Sequence, residues 1–572
     1  MINQEIANLL YEMADILEMK NVNWKPQAYR KAAKILEGLS KDVGEIYKKG
    51  GIKALKEIPG VGEGIAKKIE QYAKKGRIES FEELKRSIPK GLDKLMDIEG
   101  LGPKKAMALY KKLKITDIKK LQDAIKKHKI KNLPGFGEKT EENISKGIEF
   151  LDKGKGRMLL GTALELAESI VEELKKLKYV QRISLAGSLR RMNETIGDID
   201  ILVTSSNAEA VMDKFTTLSR VSRVLAKGPT KSTVILKDGV QADIRVLKDE
   251  DFGAALQYFT GNKEHNIKLR NIAIRKGYKL SEYGLFKRSG KKVAGRTEEE
   301  IYHKLGFPYI EPELRENRGE LEVKTIPKVV GYNDVKGDFH THTKSSDGSN
   351  TIEEMAKAAM KLGYEYICIM DHSKTRAIAG GLSEERLLKQ IEEIKKLNKK
   401  YKNFRILAGS EVDILGDGSL DYNDNILKKL DVVGAAVHSA FRQSESATTK
   451  RIIKALENKY VDILEHPTGR IINQRAPYQI NLQQILEVAK EKNKLLSINC
   501  MPDRLDLKDT DINEAINHGV KLCLGTDSHN IHHLNFMKLG IAQARRGWAK
   551  KSDIVNCLSL KELPKVFKKI SI

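Results

Sequence analysis

Apolar residues recur at three- and four-residue intervals over residues 6–19, 29–39 and 64–72, a spacing that predicts amphipathic helices, each burying one face. The front of the chain reads mostly as short helices of this kind. From about Leu160 the pattern changes. A helix over residues 163–177 gives way to short apolar runs at 183–186 and 199–203, each predicting a strand. Runs at 233–236 and 240–246, separated by Lys237-Asp238-Gly239, predict a hairpin. Beyond residue 336, apolar runs at 367–370, 405–408, 432–435, 463–464, 495–498 and 522–524 alternate with helical stretches, which predicts a β/α barrel. The stretch 311–336 between the two regimes carries Pro312, Pro327 and Gly331 without long apolar periodicity and reads as a joint.

At 572 residues the chain exceeds one ordinary domain; at ~150 residues each, about four are expected. Lys and Arg number 103 against 78 Asp and Glu, and the net charge of +25 favours a polyanionic partner such as nucleic acid. With 40% hydrophobic and 32% charged residues the chain can build cores and is no disordered tail. No apolar run approaches the ~20 residues of a membrane span, and Met1-Ile-Asn-Gln-Glu lacks the features of a secretory signal. Cys368, Cys500, Cys523 and Cys557 are widely spaced, with no CxxC pair. That excludes a disulfide scaffold and leads to the expectation of a reducing, cytoplasmic location. Of twelve histidines, only His128, His265 and His303 precede residue 330, and the other nine lie between His340 and His533. Two chemistries are therefore expected, in a basic front that binds DNA and a histidine-rich back.

Three Gly-x-Gly turns lie between helical stretches of the front: Ile58-Pro-Gly-Val-Gly-Glu-Gly-Ile-Ala66, Ile98-Glu-Gly-Leu-Gly-Pro-Lys-Lys-Ala106 and Leu133-Pro-Gly-Phe-Gly-Glu-Lys-Thr140. Glycine permits positive φ and lets a phosphate approach the backbone N–H groups where the next helix starts. Gly60, Gly62, Gly100, Gly102, Gly135 and Gly137, with Lys25 and Lys31, are the expected DNA contacts. Such contacts position a duplex without reading its sequence. None of the turns matches GxxxxGK[ST], which excludes an ATP-binding P-loop.

In the middle of the chain, Ala186-Gly-Ser-Leu-Arg-Arg191 is followed by Gly197-Asp-Ile-Asp-Ile201. On a strand Asp198 and Asp200 face the same side, where two carboxylates repel unless a cation lies between them. Asp243, between Ala242 and Ile244 on the later hairpin strand, can supply a third oxygen ligand. Three hard oxygen ligands suit Mg²⁺ (or Mn²⁺) that keeps waters and accepts phosphate oxygens. The Gly187-Ser188 turn with Arg190 and Arg191 can grip a triphosphate. Together these residues are the equipment of two-metal nucleotidyl transfer.

Through these residues the chain resembles nucleotidyltransferases. Tyr258-Phe-Thr-Gly-Asn-Lys-Glu-His-Asn266 and Arg270 narrow the resemblance to family X DNA polymerases, such as DNA polymerase beta, over about residues 1–315. The resemblance implies that Asp198, Asp200 and Asp243 bind catalytic metal, with Asp243 the base for the primer 3′-hydroxyl. It implies that Arg157, Gly187, Ser188, Arg191 and Gly197 contact the triphosphate, and that Tyr258 and Phe259 pack the sugar and exclude a ribose 2′-hydroxyl. Gly261, Asn266 and Arg270 would border the incoming nucleotide, the last two on the minor-groove side. Gln241 and Lys263 stand where the beta-type enzyme has an arginine and an acidic residue. Ala28-Tyr-Arg-Lys-Ala-Ala33 and the first glycine turn resemble its deoxyribose-phosphate lyase domain, with Lys68 at the Schiff-base position and Gly64, Ser80 and Trp24 departing from its pattern. Lys25, Lys31 and Lys67 are expected to lower the Lys68 pKa.

At the back, Asp338-Phe-His-Thr-His-Thr343 puts His340 and His342 on one face of a strand. Further candidates recur at strand ends: Asp347, His372, Glu411, His438, His466, Asp527 and His529. Nine N/O ligands thus fall where β/α barrels place active sites. The spacing is similar to the polymerase-and-histidinol-phosphatase (PHP) family over roughly residues 336–572, in the form fused to bacterial and archaeal family X polymerases. The resemblance implies three divalent metals, Zn²⁺ or Mn²⁺. One would be held by His340, His342, Glu411 and Asp527, a second by Glu411, His438 and His466, and a third by Asp347, His372 and His529. It implies 3′–5′ exonuclease activity, with cleavage at abasic sites as a further option. Arg470 is expected to grip a substrate phosphate, and His518, His532 and His533 are expected not to be ligands.

The expected architecture is multidomain. A lyase-like helical domain with the first helix-hairpin-helix (1–80) precedes a fingers subdomain with further hairpins (81–155), an α+β nucleotidyltransferase palm (156–250) and a thumb (251–315). A linker (316–335) then leads to a distorted (β/α) barrel (336–572). The expected protein is a monomeric repair enzyme that uses dNTPs on gapped or nicked duplex DNA in base excision repair and trims 3′ ends at its second site. The alternative is a polymerase whose back domain is a structural clamp without turnover.

Overall fold

The computed structural model describes residues 2–37, 43–58, 60–96, 98, 101–154, 157–323, 325–376, 379–441 and 443–570. The front is helical. Ile2–Met19 and Lys25–Glu37 pack against each other, the second ending before the predicted Leu39, which lies outside the described residues. One apolar core runs without a break from Ile6 to Ile148, so the stretches 1–80 and 81–155 share it. All three glycine turns close with the same bond. Val61 N–H donates to the Ile58 carbonyl at 3.0 Å, Leu101 to Ile98 at 3.0 Å and Phe136 to Leu133 at 2.9 Å. The helices Glu63–Lys75, Pro103–Leu113 and Glu138–Gly154 follow. Gly60 and Gly135 sit at φ 79° and 80°, where a side chain is disfavoured; Gly100 lies outside the described residues. The third turn, least similar in sequence, is braced by the buried Glu141 carboxylate, which accepts from the Ile130 and Lys131 N–H groups.

The helix Leu160–Lys175 leads into a five-stranded sheet in the order Val180–Leu185, Asp198–Ser205, Gln241–Leu247, Lys231–Leu236, Val221–Lys227. The last is an edge strand whose side chains are nearly all exposed, so it carries no alternation for sequence reading to catch. A three-stranded antiparallel sheet of Tyr278–Ser281, Gly284–Lys287 and Lys292–Ala294 then packs with helices Phe252–Thr260, Lys263–Arg275 and Glu298–Lys304.

Residues 316–335 are not a solvated linker. Glu320 is buried, with its carboxylate 2.7 Å from His265 Nδ1 and accepting from the Asn317 and Arg318 N–H groups. Val329 and Val330 are buried, and Val329 bridges to Lys550. The segment lacks apolar periodicity because ion pairs and caps, rather than a repeating apolar face, hold it between its neighbours.

The back is a parallel seven-stranded barrel in sequence order: Gly337–Thr341, Tyr366–Ile369, Arg405–Asp413, Val432–Ala436, Ile463–Glu465, Leu495–Asn499 and Leu522–Gly525. His342 N–H donates to the Ser528 carbonyl at 2.8 Å and draws the first and last strands together. One cluster takes a residue from every strand (Phe339, Tyr366, Leu407, Val432, Ile463, Leu495, Cys523) and is stoppered by Phe567 and Ile570 of the C-terminal tail. No helix among the described residues is long and apolar enough to cross a membrane.

Candidate active sites

Strand register builds the first site. Asp198–Ser205 runs parallel to Gln241–Leu247 with Asp200 opposite Asp243 and Asp198 opposite Gln241, so the four side chains share one face. Thr233 stands opposite Asp243 on its other side. Thr233 Oγ1 and Gln241 Nε2 donate to the Asp243 carboxylate at 2.5 and 2.6 Å. Burial first, then the charges of Asp198 and Asp243, push the Asp200 carboxyl up to about 7. The three carboxylates therefore sense one another, and a divalent cation is the counter-ion that relieves them. Among the described residues, the acid and histidine groups whose ligand atoms all lie within 4.8 Å of one another are in the barrel. In the palm, Asp243 is engaged by Gln241 and Thr233, and Lys231 Nζ lies 3.7 Å from its Oδ1.

The Gly187-Ser188 turn, expected to grip phosphate, abuts these acids. Ala186 N–H donates to the Asp200 carbonyl at 2.9 Å, and Gly187 opens the short helix Gly187–Arg190 at φ 61°. A Cβ on Gly187 would lie 2.3 Å from Asp200 Oδ2. Gly187→Ala is therefore expected to displace Asp200 and lower dNTP incorporation about 100-fold, as a misplacement of ~1 Å does. Steady-state kinetics on a gapped duplex check this, with 3′–5′ degradation unchanged. Arg157 is pinned nearby: its Nε and Nη2 donate to Thr195 Oγ1 and carbonyl at 2.9 and 2.6 Å, and a Cβ on Gly197 would lie 3.0 Å from its Nη1.

The two arginines after the turn differ. Arg190 makes a two-pronged pair with Glu298 at 2.9 and 2.6 Å and donates to Thr260 Oγ1. It is a structural clamp, not the triphosphate grip the sequence suggested. Burial would raise the Glu298 pKa, but the charges of Arg315 and Arg190 hold it at about 2. Arg191 reaches the thumb differently: Nε donates to Glu316 Oε1 at 2.9 Å and Nη1 to the Thr260 carbonyl.

Tyr258 and Phe259 meet edge to face with centroids 5.1 Å apart, and the Arg245 guanidinium lies 4.5 Å from the Phe259 ring centre. Asn266 is buried; its Nδ2 donates to the Tyr258 carbonyl at 2.6 Å and its Oδ1 accepts from Gln257 at 2.7 Å. Arg270 is exposed one turn along the same helix, and Gly261, at φ 71°, turns the chain beside Arg191.

In the front domain Lys68 Nζ lies 5.6 Å from the Tyr29 ring centre and donates to the Gly64 carbonyl at 3.3 Å. Lys31 borders the Gly60 turn, and Lys25 is exposed at the start of its helix. Lys67 is paired with Glu63 at 3.0 Å.

The barrel brings together all nine residues named for it. Fully buried Glu411 is the hub: His372 Nδ1, His466 Nε2 and His438 Nε2 approach its carboxylate at 2.8, 2.9 and 3.0 Å, and His340 Nε2 at 3.6 Å. Asp527 Oδ1 lies 3.1 Å from His342 Nε2. Asp347 lies 3.4 Å from both His372 Nε2 and His529 Nε2. Among the described residues no donor aligned for a regular hydrogen bond reaches the Glu411 oxygens, and burial alone would raise its pKa. The charges of His438, His372, His340 and His466 instead hold it well below the carboxylate range. Burial also depresses His372, yet Glu411 and Asp347 outweigh it and raise that ring to about 10. Donors this crowded, with a buried carboxylate as their common centre, fit divalent metals that take the place of the protons.

An outer ring of residues escaped sequence reading. Asp413 Oδ1 lies 2.6 Å from His438 Nδ1 and Glu465 Oε2 3.0 Å from His340 Nδ1. Asn499 Nδ2 donates to Asp527 Oδ2 at 3.0 Å and lies 3.1 Å from His466 Nδ1. Such partners fix ring orientation at metal sites. The signal was present, because Glu465 precedes His466 and Asp413 lies one same-face step beyond Glu411. Arg470 does not reach the cage as a phosphate grip; it is buried, paired with Glu194 at 2.8 Å and donating to the Leu505 carbonyl.

Comparison with known proteins agrees with this geometry. Residues 1–78 match the helix-hairpin-helix domain family and 92–149 the SAM-like helix-hairpin-helix tandem family. Residues 162–255 match the DNA polymerase beta palm, 255–316 the DNA polymerase beta thumb and 338–500 the PHP domain. The chain is 39% identical over 571 residues to the DNA polymerase/3′-5′ exonuclease PolX of Bacillus subtilis (strain 168), covering 99% of each. It is 37% identical over 203 residues to a probable phosphatase of Thermoanaerobacter sp. (strain X514), 34% of this chain and 78% of that protein. The chain belongs to the family X DNA polymerases of the PolX type, with helix-hairpin-helix repeats, a beta-like palm and thumb, and a C-terminal PHP domain.

Proposed function

We propose that the chain is a DNA-directed DNA polymerase that fills short gaps in base excision repair, and a metal-dependent 3′–5′ exonuclease that cleans 3′ ends. The observation that carries this reading is the coexistence of two ligand sets, Asp200 in register with Asp243 on the palm and the Glu411-centred cage in the barrel. When bound, Mg²⁺ (or Mn²⁺) at the palm acids and Zn²⁺ or Mn²⁺ in the cage supply Lewis acidity at phosphorus. Asp243 takes the proton of the primer 3′-hydroxyl. Gly187, Ser188, Gly197, Arg157 and Arg191 hold the triphosphate. Tyr258 and Phe259 crowd the 2′ position of the sugar, Gly261 turns the chain beside the incoming nucleotide, and Asn266 and Arg270 border the nascent pair. The glycine turns, with Lys25 and Lys31, hold the duplex backbone on either side of a gap. Lys68 serves as the amine of a lyase, and the cage also cuts at abasic sites. The protein acts as a monomer in the cytoplasm, with palm, thumb and barrel divided as expected above, while the two front stretches share one core and 316–335 packs between its neighbours.

A 5′-labelled duplex with a one-nucleotide gap tests the reading. With Mg²⁺ or Mn²⁺ the primer is expected to lengthen by one nucleotide when dNTPs are present and to shorten when they are absent. No lengthening overturns the polymerase, and no shortening leaves the barrel as a structural clamp. With a pre-incised abasic site and borohydride, an adduct lost in Lys68→Ala supports the lyase, and its absence in the wild type removes it.

A further inference from the structure

The two arginines that follow the triphosphate turn are held by parallel chains of charge. Arg190 pairs with Glu298, and Glu298 pairs with fully buried Arg315, so the first chain is confined to palm and thumb. Arg191 pairs with Glu316 at 2.9 Å, but the arginine behind Glu316 is Arg546, from the end of the barrel helix Met537–Arg546. Arg546 Nη1 lies 2.9 Å from Glu316 Oε1, 2.8 Å from the Arg191 carbonyl and 2.6 Å from Asn193 Oδ1, and donates to this group of acceptors. Its Nη2 donates to Asp509 Oδ2 at 2.7 Å; Asp509 lies at the start of the barrel helix Asp509–Asn517 and also pairs with Arg318 at 3.0 Å. Glu316 further accepts from Asn262 Nδ2 at 3.1 Å, beside Gly261. One buried guanidinium therefore grips both the main chain and the side-chain partner of Arg191. Its neighbour Arg545 anchors the same helix to Glu313, at 2.7 Å, and to the Val330 carbonyl.

From this we infer that Arg546 of the barrel domain is a positioning residue of the polymerase site. It fixes the Glu316 carboxylate and the 191–193 main chain, so that the Arg191 guanidinium is aimed at the incoming triphosphate before the nucleotide arrives. The nucleotide pocket of one active site is completed by the domain that carries the other. The inference rests on the reading that Arg191 contacts the triphosphate. A preorganised guanidinium binds phosphate more tightly because its ordering precedes binding. Without Arg546, Glu316 keeps Arg191 as its cationic partner and pulls it away from the substrate.

Single-nucleotide incorporation on a gapped duplex, equilibrium dNTP binding to the enzyme–DNA complex and 3′–5′ degradation are measured for the full-length wild type, Arg191→Met, Arg546→Met and Arg546→Lys. For Arg546→Met, KM and Kd for dNTP are expected to rise about tenfold, the effect of losing one charge-assisted contact. kcat is expected to change less and degradation to stay intact. Arg546→Lys, which keeps the charge but not the planar fork, is expected to recover part of the affinity. Degradation at the second site of the same polypeptide reports that each variant is folded. If Arg191→Met raises KM but neither Arg546 variant does, the positioning role is overturned and the reading of Arg191 stands. Loss of both activities in equal proportion also overturns it, leaving Arg546 a structural contact only. If Arg191→Met leaves KM and Kd unchanged, the triphosphate reading and the inference built on it fall together.

Discussion

Asp200→Asn is expected to abolish nucleotide incorporation while leaving 3′–5′ degradation intact. Asp200 lies beside Asp243 in the sheet and two residues from Asp198, so it is the carboxylate common to any cation shared by the three. Metal-ion catalysis contributes several kcal/mol of charge stabilisation, which at 1.36 kcal/mol per decade is a loss of about 10³–10⁴-fold. The variant also has a pH signature in metal-free buffer. The Asp200 carboxyl titrates at about 7 in the folded chain against an ordinary 3.8. Folding therefore opposes its charge, and the wild type loses stability as pH rises from about 4 to 7. Asn carries no charge, so the variant should melt higher than the wild type at pH 8, with the gap closing below pH 4. Thermal melts at the two pH values check this. An equal or lower melting temperature at pH 8 would falsify the account of a charge held against its preference.

Glu411→Gln should have the mirror effect, silencing degradation while gap filling continues. The carboxylate is fully buried, with His340, His342, His372, His438 and His466 all within 3.8 Å of it, one imidazole more than surround Asp527. The amide supplies a neutral oxygen and an N–H that must point at an imidazole or a cation. Loss of metal and of its charge stabilisation predicts a fall in nuclease rate of at least ~10³-fold. Degradation of a 5′-labelled strand and elemental analysis of the purified protein read the two losses separately. Retained degradation with reduced metal content would place the hydrolytic chemistry elsewhere. Retained metal with no degradation in either protein would leave the barrel a clamp.

Much of this was legible in the chain because it depends on short-range spacing. The side-chain alternation of a strand puts Asp198 with Asp200 and His340 with His342, and burial at strand ends follows from the barrel pattern. Six of the nine cage residues (His372, Glu411, His438, His466, Asp527 and His529) were nameable because each follows closely on an apolar run, whereas Asp347 lies in the polar turn after Thr341. What escaped was decided by long-range charge pairing. Arg190 and Arg191 are identical neighbours in the sequence, yet Glu298 claims one and Glu316 the other, from more than a hundred residues away. Arg470 looked like a phosphate grip from its place after His466, but Glu194 of the palm neutralises it. The stretch 316–335 read as a linker because its burial rests on carboxylates such as Glu320, which carry no periodic signal. The exposed strand Val221–Lys227 was silent for lack of a buried face, and the thumb strands because each is only three or four residues long and buries just one or two of them.

The seam of the barrel has a consequence for how the molecule comes into being. Thr526 N–H donates to Asp338 Oδ1 at 3.0 Å across a separation of 188 residues, and the cage runs from His340 to His529, an interval of about the same length. During translation the front can compact first, but the cage has no last wall until the segment bearing Asp527 and His529 leaves the ribosome. Arg546 emerges later still. The half made first is thus finished by the half made last, and a ribosome that stalls before the final strand releases a chain with neither site complete.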